Sequence, residues 1–155
     1  MDLEIELLDG VAQASPEAWN ALVGDGSPFL EWAWLASLEH AGCVGADTGW
    51  RPMPLVLRGR DGQLAAACPL YVKADSEGEF VFDWSWADAA ERAGIRYYPK
   101  LLVGVPFTPV GGARFLTGRA APAERAELIA RLGAALRGIC AHHALSGVHV
   151  NFCRE

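Results

Sequence analysis

Residues 100–152 carry an apolar stretch, a long amphipathic stretch and a second apolar stretch in succession. Over 122–144, apolar side chains recur at spacings of three and four, which is typical of a helix with one buried face. Pro122 suits the first turn of such a helix. We predict a helix over 122–144 that crosses between parallel strands over 100–107 and 148–152. The apolar stripe of this helix is Leu128, Ile129, Leu132, Leu136, Ile139, Cys140 and His143.

The first part of the chain predicts a strand and two helices. Charged and apolar residues alternate over 2–8, the period of a half-buried strand. Ser15 is a typical N-cap for a short helix over 16–23. A second helix is predicted over 29–41. Its apolar stripe would be Leu30, Trp34, Leu38 and Ala41.

The middle of the chain predicts a meander of three strands. Residues 53–58 and 63–73 flank an Asp-Gly turn at 59–62, so they form a hairpin. Pro69 removes a ladder donor and indicates an edge position or a bulge. A third strand is predicted over 79–82. The expected fold is α/β, a mixed antiparallel and parallel sheet with this hairpin at its centre and helices on its faces.

Length and composition indicate one folded domain over residues 1–155. The chain has 155 residues, of which 52% are hydrophobic and 21% charged. No apolar run reaches the ~20 residues that a membrane helix needs. The amino terminus has neither the basic region nor the apolar region of a signal peptide. We therefore expect a cytoplasmic protein without a membrane span.

Charge is distributed unevenly along the chain. Residues 1–50 hold nine carboxylates and no Lys or Arg, whereas residues 92–154 hold nine basic side chains and two acidic ones. Such a division can mark an anion-binding half, or the two halves can attract each other. The net charge of −6 argues against a protein that binds duplex nucleic acid.

The cysteines indicate neither disulfides nor a metal site. The four cysteines are irregularly spaced and form no Cys-x-x-Cys pair. The potential ligands match no zinc motif in their spacing; they are Cys140, His142, His143, His149 and Cys153. We expect no metal.

The densest unusual feature is a group of aromatic and acidic residues. Trp84 and Trp86 could form a platform for a sugar or a peptide, with Asp83 or Asp88 as hydrogen-bond acceptor or catalytic base. Alternatively, the two tryptophans fill the core and Asp83 caps a short helix over 83–94. The functional interpretation predicts that Asp83→Asn and Asp88→Asn leave thermal stability nearly unchanged.

Further candidates follow in the sequence. Tyr97 could contact a substrate, Tyr98 could act as a general acid, and Lys100 could hold a phosphate group. Phe107 and Thr108 lie at a rigid chain reversal that could form the opposite wall of a cleft. The predicted ligand site lies where these segments meet the end of the strand over 79–82.

Several segments of the chain together form a pattern that is found in a known family. They include Phe29-Leu30, Thr48-Gly49-Trp50-Arg51-Pro52, Pro69-Leu70-Tyr71-Val72-Lys73, residues 78–89, Tyr97-Tyr98-Pro99-Lys100-Leu101 and Val105-Pro106-Phe107-Thr108-Pro109-Val110. In this order they resemble the FemAB-like family of N-acyltransferases, which has a GNAT-type fold. The resemblance is close over residues 27–112 and looser beyond them.

This resemblance implies transfer of an acyl or aminoacyl group to an amine acceptor, such as a peptidoglycan precursor. Acyl-CoA or aminoacyl-tRNA would be the donor. Family members have two GNAT-like halves, so this chain would be the amino-terminal half, a single GNAT-like domain. Alternatively, it is a non-catalytic half that recognises a peptide or a cell-wall ligand.

No cofactor is expected in this half. Residues 111–119 contain glycines and two arginines before the long helix, but their spacing differs from the phosphate loop of acyl-CoA enzymes. The apolar strand over 148–152 would leave an open sheet edge. We therefore expect self-association, or packing with a second GNAT-like half.

Overall fold

The computed structural model describes residues 2–24 and 26–154. The strands are β1 (Leu3–Leu7), β2 (Trp50–Pro52), β3 (Leu55–Gly59), β4 (Leu64–Cys68), β5 (Leu70–Lys73), β6 (Lys100–Val103) and β7 (Val148–Val150). The helices are α1 (Pro16–Val23), α2 (Trp32–His40), α3 (Trp84–Arg92) and α4 (Pro122–His142). The predicted α/β class is confirmed.

The strands form two sheets rather than the one mixed sheet that the sequence predicted. The first sheet is antiparallel, with the order β1-β3-β4. The second has the order β2-β5-β6-β7, in which β6 and β7 run parallel and the other neighbours run antiparallel. The prediction of two parallel strands joined by α4 is therefore confirmed. The prediction that the hairpin over 53–73 lies at the centre of a single sheet is wrong.

Pro69 marks the passage of the chain from the first sheet to the second. β4 ends at Cys68 and β5 begins at Leu70. Because proline has no N–H to donate, a continuous ladder does not pass through this position. The strand predicted over 63–73 is thus two strands in two sheets, whereas the turn predicted at 59–62 is confirmed.

Helix α4 packs against both sheets. Its buried side chains share a core with one face of each sheet. Of the predicted stripe, Ile129 and His143 are exposed instead. The buried residues of α4 are Leu128, Leu132, Ala135 and Leu136.

Helices α1 and α2 cover the other face of the first sheet. Trp19 is fully buried there, and its indole N–H donates to the Leu30 carbonyl at 2.9 Å. The stripe predicted for the second helix is wrong at Trp34, which is 37% exposed, because a 3-10 turn precedes α2 and shifts the inward face to Leu35 and Ala36.

The second sheet has a face that points away from α4. Trp50, Tyr71 and Leu102 are buried on it, and two lysines occupy its end. Residues 74–83 form a loop across this end, so the strand predicted over 79–82 is absent. Helix α3 follows the loop and has no buried residue. The loop and α3 define the region where the candidate site residues lie.

The outer strands leave apolar side chains accessible. β1 forms as predicted, but Ile5 and Leu7 are 58% and 37% exposed, so its predicted burial is wrong. β7 is an edge strand, and self-association through it stays a prediction. None of the helices in residues 2–24 and 26–154 is long and apolar enough to cross a membrane.

Candidate functional site

Two buried lysines face each other on neighbouring strands. The register of β5 and β6 places Lys73 opposite Lys100, and both residues are fully buried. Like charges directly opposite each other destabilise a sheet, and a buried ammonium needs acceptors for its three N–H groups. The loop over 74–83 supplies those acceptors.

Lys100 makes the central ion pairs. Its Nζ donates to Glu79 Oε2 and to Asp83 Oδ2, each at 3.0 Å, and to Ser76 Oγ at 3.1 Å. Asp83 Oδ2 also accepts a hydrogen bond of 2.6 Å from the Tyr97 hydroxyl. We call these five residues the Lys100 cluster. Lys100 thus ties two of the loop's carboxylates, Glu79 and Asp83, to the sheet.

Lys73 holds the first part of the same loop. Its Nζ donates to the Glu77 carbonyl at 3.0 Å and to Asp75 Oδ1 at 3.4 Å. The ammonium also lies 4.0 Å from the centre of the Trp50 ring, a cation–π contact. The Trp50 indole N–H donates to the same Glu77 carbonyl at 3.0 Å. The loop is therefore fixed at both ends.

The two carboxylates of the cluster have opposite pKa shifts. Burial disfavours the charged form of Asp83, but hydrogen bonds from Tyr97, Ser76 and Lys100 outweigh it and lower the Asp83 pKa to about 2. Burial raises the pKa of Glu79, and the attraction of Lys100 opposes this only in part. Asp83 is therefore ionised at neutral pH and is a weak base.

Two carboxylate oxygens of the cluster have no hydrogen-bond partner within the described part of the chain. They are Glu79 Oε1 and Asp83 Oδ1, both buried. The other oxygen of Glu79 also accepts from Asn151 Nδ2 at 3.3 Å. A buried acceptor without a donor is costly. These oxygens are places where a water molecule or a bound group would be stabilised.

Residues 80–86 expose four aromatic side chains. Phe80 and Phe82 have positive φ angles of 59° and 54°, which are rare for bulky residues and cluster at functional positions. Phe80, Phe82, Trp84 and Trp86 are 47%, 79%, 56% and 72% exposed. We call these four residues the aromatic surface. The alternative in which both tryptophans fill the core is wrong.

The helix-capping alternative for Asp83 is also wrong. Asp83 occupies the N-cap position of α3, but its side chain makes no capping hydrogen bond. It is committed instead to Lys100 and Tyr97. This ion pair changes the expectation for Asp83→Asn, which we now expect to lower stability.

The other candidate residues differ in whether they contact the Lys100 cluster. Tyr98 shares a hydrogen bond with Ser76, so it contacts the Lys100 cluster. Thr108 donates to the Pro106 carbonyl at 3.0 Å. Asp88 is exposed on α3, and it forms no ion pair or side-chain hydrogen bond with any residue whose position is described. The geometry therefore groups Asp83, Tyr97, Tyr98 and Lys100 and leaves Asp88 apart.

Phe107 packs against the loop at Gly78. A Cβ on Gly78 would lie 2.6 Å from Phe107 Cδ1, and the φ of Gly78 is 73°. The Phe107 ring also lies 5.5 Å from the Trp50 ring, between centroids. Only glycine allows this close approach in this backbone conformation.

We expect Gly78→Ala to lower the free energy of unfolding by about 2–4 kcal/mol, from the backbone conformation and from displacement of Phe107. Gly94→Ala is the matched control, because Gly94 has a similar φ of 68° and open space around it. It should cost only about 1–2 kcal/mol. Urea denaturation measures both values. Equal losses would contradict the contact with Phe107.

The sequence did not single out Lys73, Ser76, Glu79 or Asn151 as site residues. A usable signal was present for some of them. Lys73 and Lys100 each stand at the end of an apolar strand, and the segment between them carries several acids. Buried lysines almost always have partners, so this pattern indicates an ion-paired cluster.

Histidine and cysteine residues do not add a metal site to this region. In residues 2–24 and 26–154, no three His, Cys, Asp or Glu side chains lie close enough together to hold a metal ion. His149 instead packs edge-on against Tyr97, with 5.6 Å between ring centroids. Burial and the nearby Lys100 lower the pKa of His149, so its ring is neutral at pH 7.

A family model, FemAB-like, described as peptidoglycan biosynthesis/recognition, matches residues 10–155. This range includes the Lys100 cluster and the aromatic surface. No curated protein and no solved structure matches the chain.

Proposed function

Because this chain belongs to the FemAB-like family of peptidoglycan biosynthesis and recognition, we propose that its aromatic surface binds a peptidoglycan-type acceptor during N-acyl transfer. The observation that carries the proposal is the exposure of four large aromatic side chains on a loop fixed by buried ion pairs and on the helix that follows it. A GNAT-type arrangement of the sheets is part of this proposal.

Aromatic rings suit such an acceptor. A peptidoglycan precursor combines sugar rings, whose C–H groups stack on indole and phenyl faces, with a short peptide. Exposed tryptophans offer a large apolar area for this stacking at a low desolvation cost. The four aromatic residues lie within residues 80–86, and large apolar side chains that are exposed in one region usually mark an interaction site.

The proposal gives the charged residues separate roles. Asp83 and Lys100 neutralise each other and position the loop, and Tyr98 supports it through Ser76. Asp88 lies one helical turn after Trp84, on the same side of α3, so its exposed carboxylate can accept a proton from an amine held there. Acyl-CoA or aminoacyl-tRNA would supply the acyl group.

A second candidate function is recognition without catalysis. It is favoured by the state of Asp83 and Lys100, which are paired with each other and buried rather than presented to a substrate. Incubation of a soluble disaccharide-peptide with labelled acyl-CoA or aminoacyl-tRNA distinguishes the two. Binding with label transfer supports the transferase, whereas binding without transfer supports recognition.

We expect Trp84→Ala and Trp86→Ala each to weaken binding of the disaccharide-peptide by about tenfold, because each removes a stacking surface worth ~1–1.5 kcal/mol. Their free energies of unfolding should stay within about 0.5 kcal/mol of wild type, since both side chains are mostly exposed. Isothermal titration calorimetry and urea denaturation measure the two quantities.

The matched control is Trp34→Ala, which removes a partly exposed tryptophan from α2. It should leave binding unchanged. The proposal fails if Trp34→Ala weakens binding as much as the α3 variants do, or if the α3 variants bind like wild type.

A further inference from the structure

A cavity lies between the end of α1, the start of α4 and the last described residues of the chain. Its volume is about 750 Å³, within the usual range for a small-molecule site. It shares none of its lining residues with the Lys100 cluster or the aromatic surface. Its apolar lining comes from Leu22, Val23, Phe115, Leu116, Ile129 and Val150.

Arg114 is the most buried of the arginines that line this cavity. The residue is 2% exposed, and its guanidinium donates to the carbonyls of Asn151 and Val110, each at 2.7 Å, and of Ala113 at 3.2 Å. These partners orient the guanidinium but carry no negative charge. Burial lowers the pKa of Arg114.

Two more arginines line the same cavity. Arg125 projects from the first turns of α4, and Arg154 lies near the end of the chain. In residues 2–24 and 26–154, none of the three arginines forms an ion pair with a carboxylate. Three arginines therefore line one cavity, and none of them is paired with a carboxylate of the described chain.

Gly112 leaves room for the Arg114 guanidinium at this cavity. A Cβ on Gly112 would lie 3.1 Å from Arg114 Nη1, so a larger residue would crowd the guanidinium. The N–H of Gly112 donates to the Phe152 carbonyl and the N–H of Arg154 donates to the Gly112 carbonyl. These bonds hold the arginine-bearing segments side by side.

We propose that this cavity binds a phosphate group carried on an apolar or aromatic body. A phosphate dianion offers several acceptor oxygens, which three guanidinium groups can share through paired N–H donors. The apolar lining covers the remainder of the ligand. The ligand class is independent of the peptidoglycan-type acceptor proposed for the aromatic surface.

Phenyl phosphate and inorganic phosphate are the probes, titrated by calorimetry at low ionic strength. We expect phenyl phosphate to bind about tenfold more tightly than inorganic phosphate, because its ring is buried against the apolar lining. Arg125→Gln and Arg154→Gln should each weaken binding of both probes by about five- to tenfold. Arg119→Gln, which removes a nearby exposed charge outside the cavity, should have no effect.

Cysteine alkylation locates the binding site. Cys153 lines the cavity and is exposed, whereas Cys43 is exposed elsewhere. Saturating phenyl phosphate should protect Cys153 from iodoacetamide and leave Cys43 as reactive as before.

Any of four results would overturn the proposal: no binding by the wild type, equal affinity for the two probes, equal weakening by Arg119→Gln, or no protection of Cys153. Asp25 and Glu155 neighbour lining residues in the sequence and lie outside the described residues. Binding that appears only after Asp25→Asn or removal of Glu155 would show that a carboxylate of the chain occupies the cavity, which also overturns it.

Discussion

Lys100→Met is expected to lower the free energy of unfolding by about 3–5 kcal/mol, the usual cost of removing one partner from a buried ion pair. The Lys100 side chain and the Glu79 side chain are both fully buried, and that of Asp83 is 11% exposed. Without the ammonium, two carboxylates remain close together and away from water. Because small proteins have only about 5–15 kcal/mol of stability, this is a large fraction of the total.

Urea denaturation measures this loss, and Lys73→Met is its matched control. Lys73 is equally buried and lies opposite Lys100, but its carboxylate partner Asp75 is 46% exposed and can be solvated. We expect Lys73→Met to cost about 1–2 kcal/mol. If the two methionine variants lose the same stability, Lys100 does not compensate buried carboxylates.

Removing all three charges of the Lys100 cluster should recover much of the loss. The triple variant Glu79→Gln, Asp83→Asn and Lys100→Met leaves no charge unpaired, and such replacements are often nearly neutral. We expect it to be more stable than Lys100→Met alone. A triple variant less stable than Lys100→Met would contradict the assignment of the loss to unpaired carboxylates.

Acid should destabilise the protein by about 2 kcal/mol through Asp83 alone. The folded-state pKa of Asp83 is about 2 against an ordinary value of 3.8, so its contribution is present above pH 4 and is lost as the pH falls towards 2. Glu79 has a raised pKa, so its contribution to stability falls as the pH rises above its ordinary value of 4.5. The two windows are therefore separate.

The measurement is the free energy of unfolding in urea between pH 5 and pH 2. Asp83→Asn should be less stable than wild type at pH 5 and should show a shallower decline towards pH 2. Asp88→Asn is the control, because Asp88 is exposed on the neighbouring helix. An acid decline in Asp83→Asn as steep as that of wild type would mean that Asp83 is not held in its charged form.

Hydrophobic periodicity predicted the helix and the strands whose burial pattern is uniform along their length. The stripe at Leu128, Leu132 and Leu136 located α4, and the apolar stretches beside it located β6 and β7. Pro69 was recognised as a break in the ladder, but its effect is larger than a bulge. The sequence of residues 63–73 does not predict that the chain continues in a second sheet, because the change of sheet depends on pairing with distant strands.

The candidate site was predicted in part. The order of the segments placed Asp83, Tyr97 and Lys100 together, and the structure brings them into contact. The sequence predicted a strand over 79–82, yet Glu79 is buried and Phe82 is exposed. Here the ion pair with Lys100 outweighs hydrophobic patterning. The register that places Lys73 opposite Lys100 is a tertiary property, so the local sequence does not predict it.

The loop over 74–83 is bound to the sheet by lysines at both of its ends. A loop held in this way has already lost most of its conformational entropy when the chain folds. The backbone that carries Phe80 and Phe82 therefore needs little further ordering when a ligand arrives, so more of the stacking energy remains as affinity. Such preorganisation also favours selectivity, since a fixed backbone limits the directions from which these rings can contact a ligand.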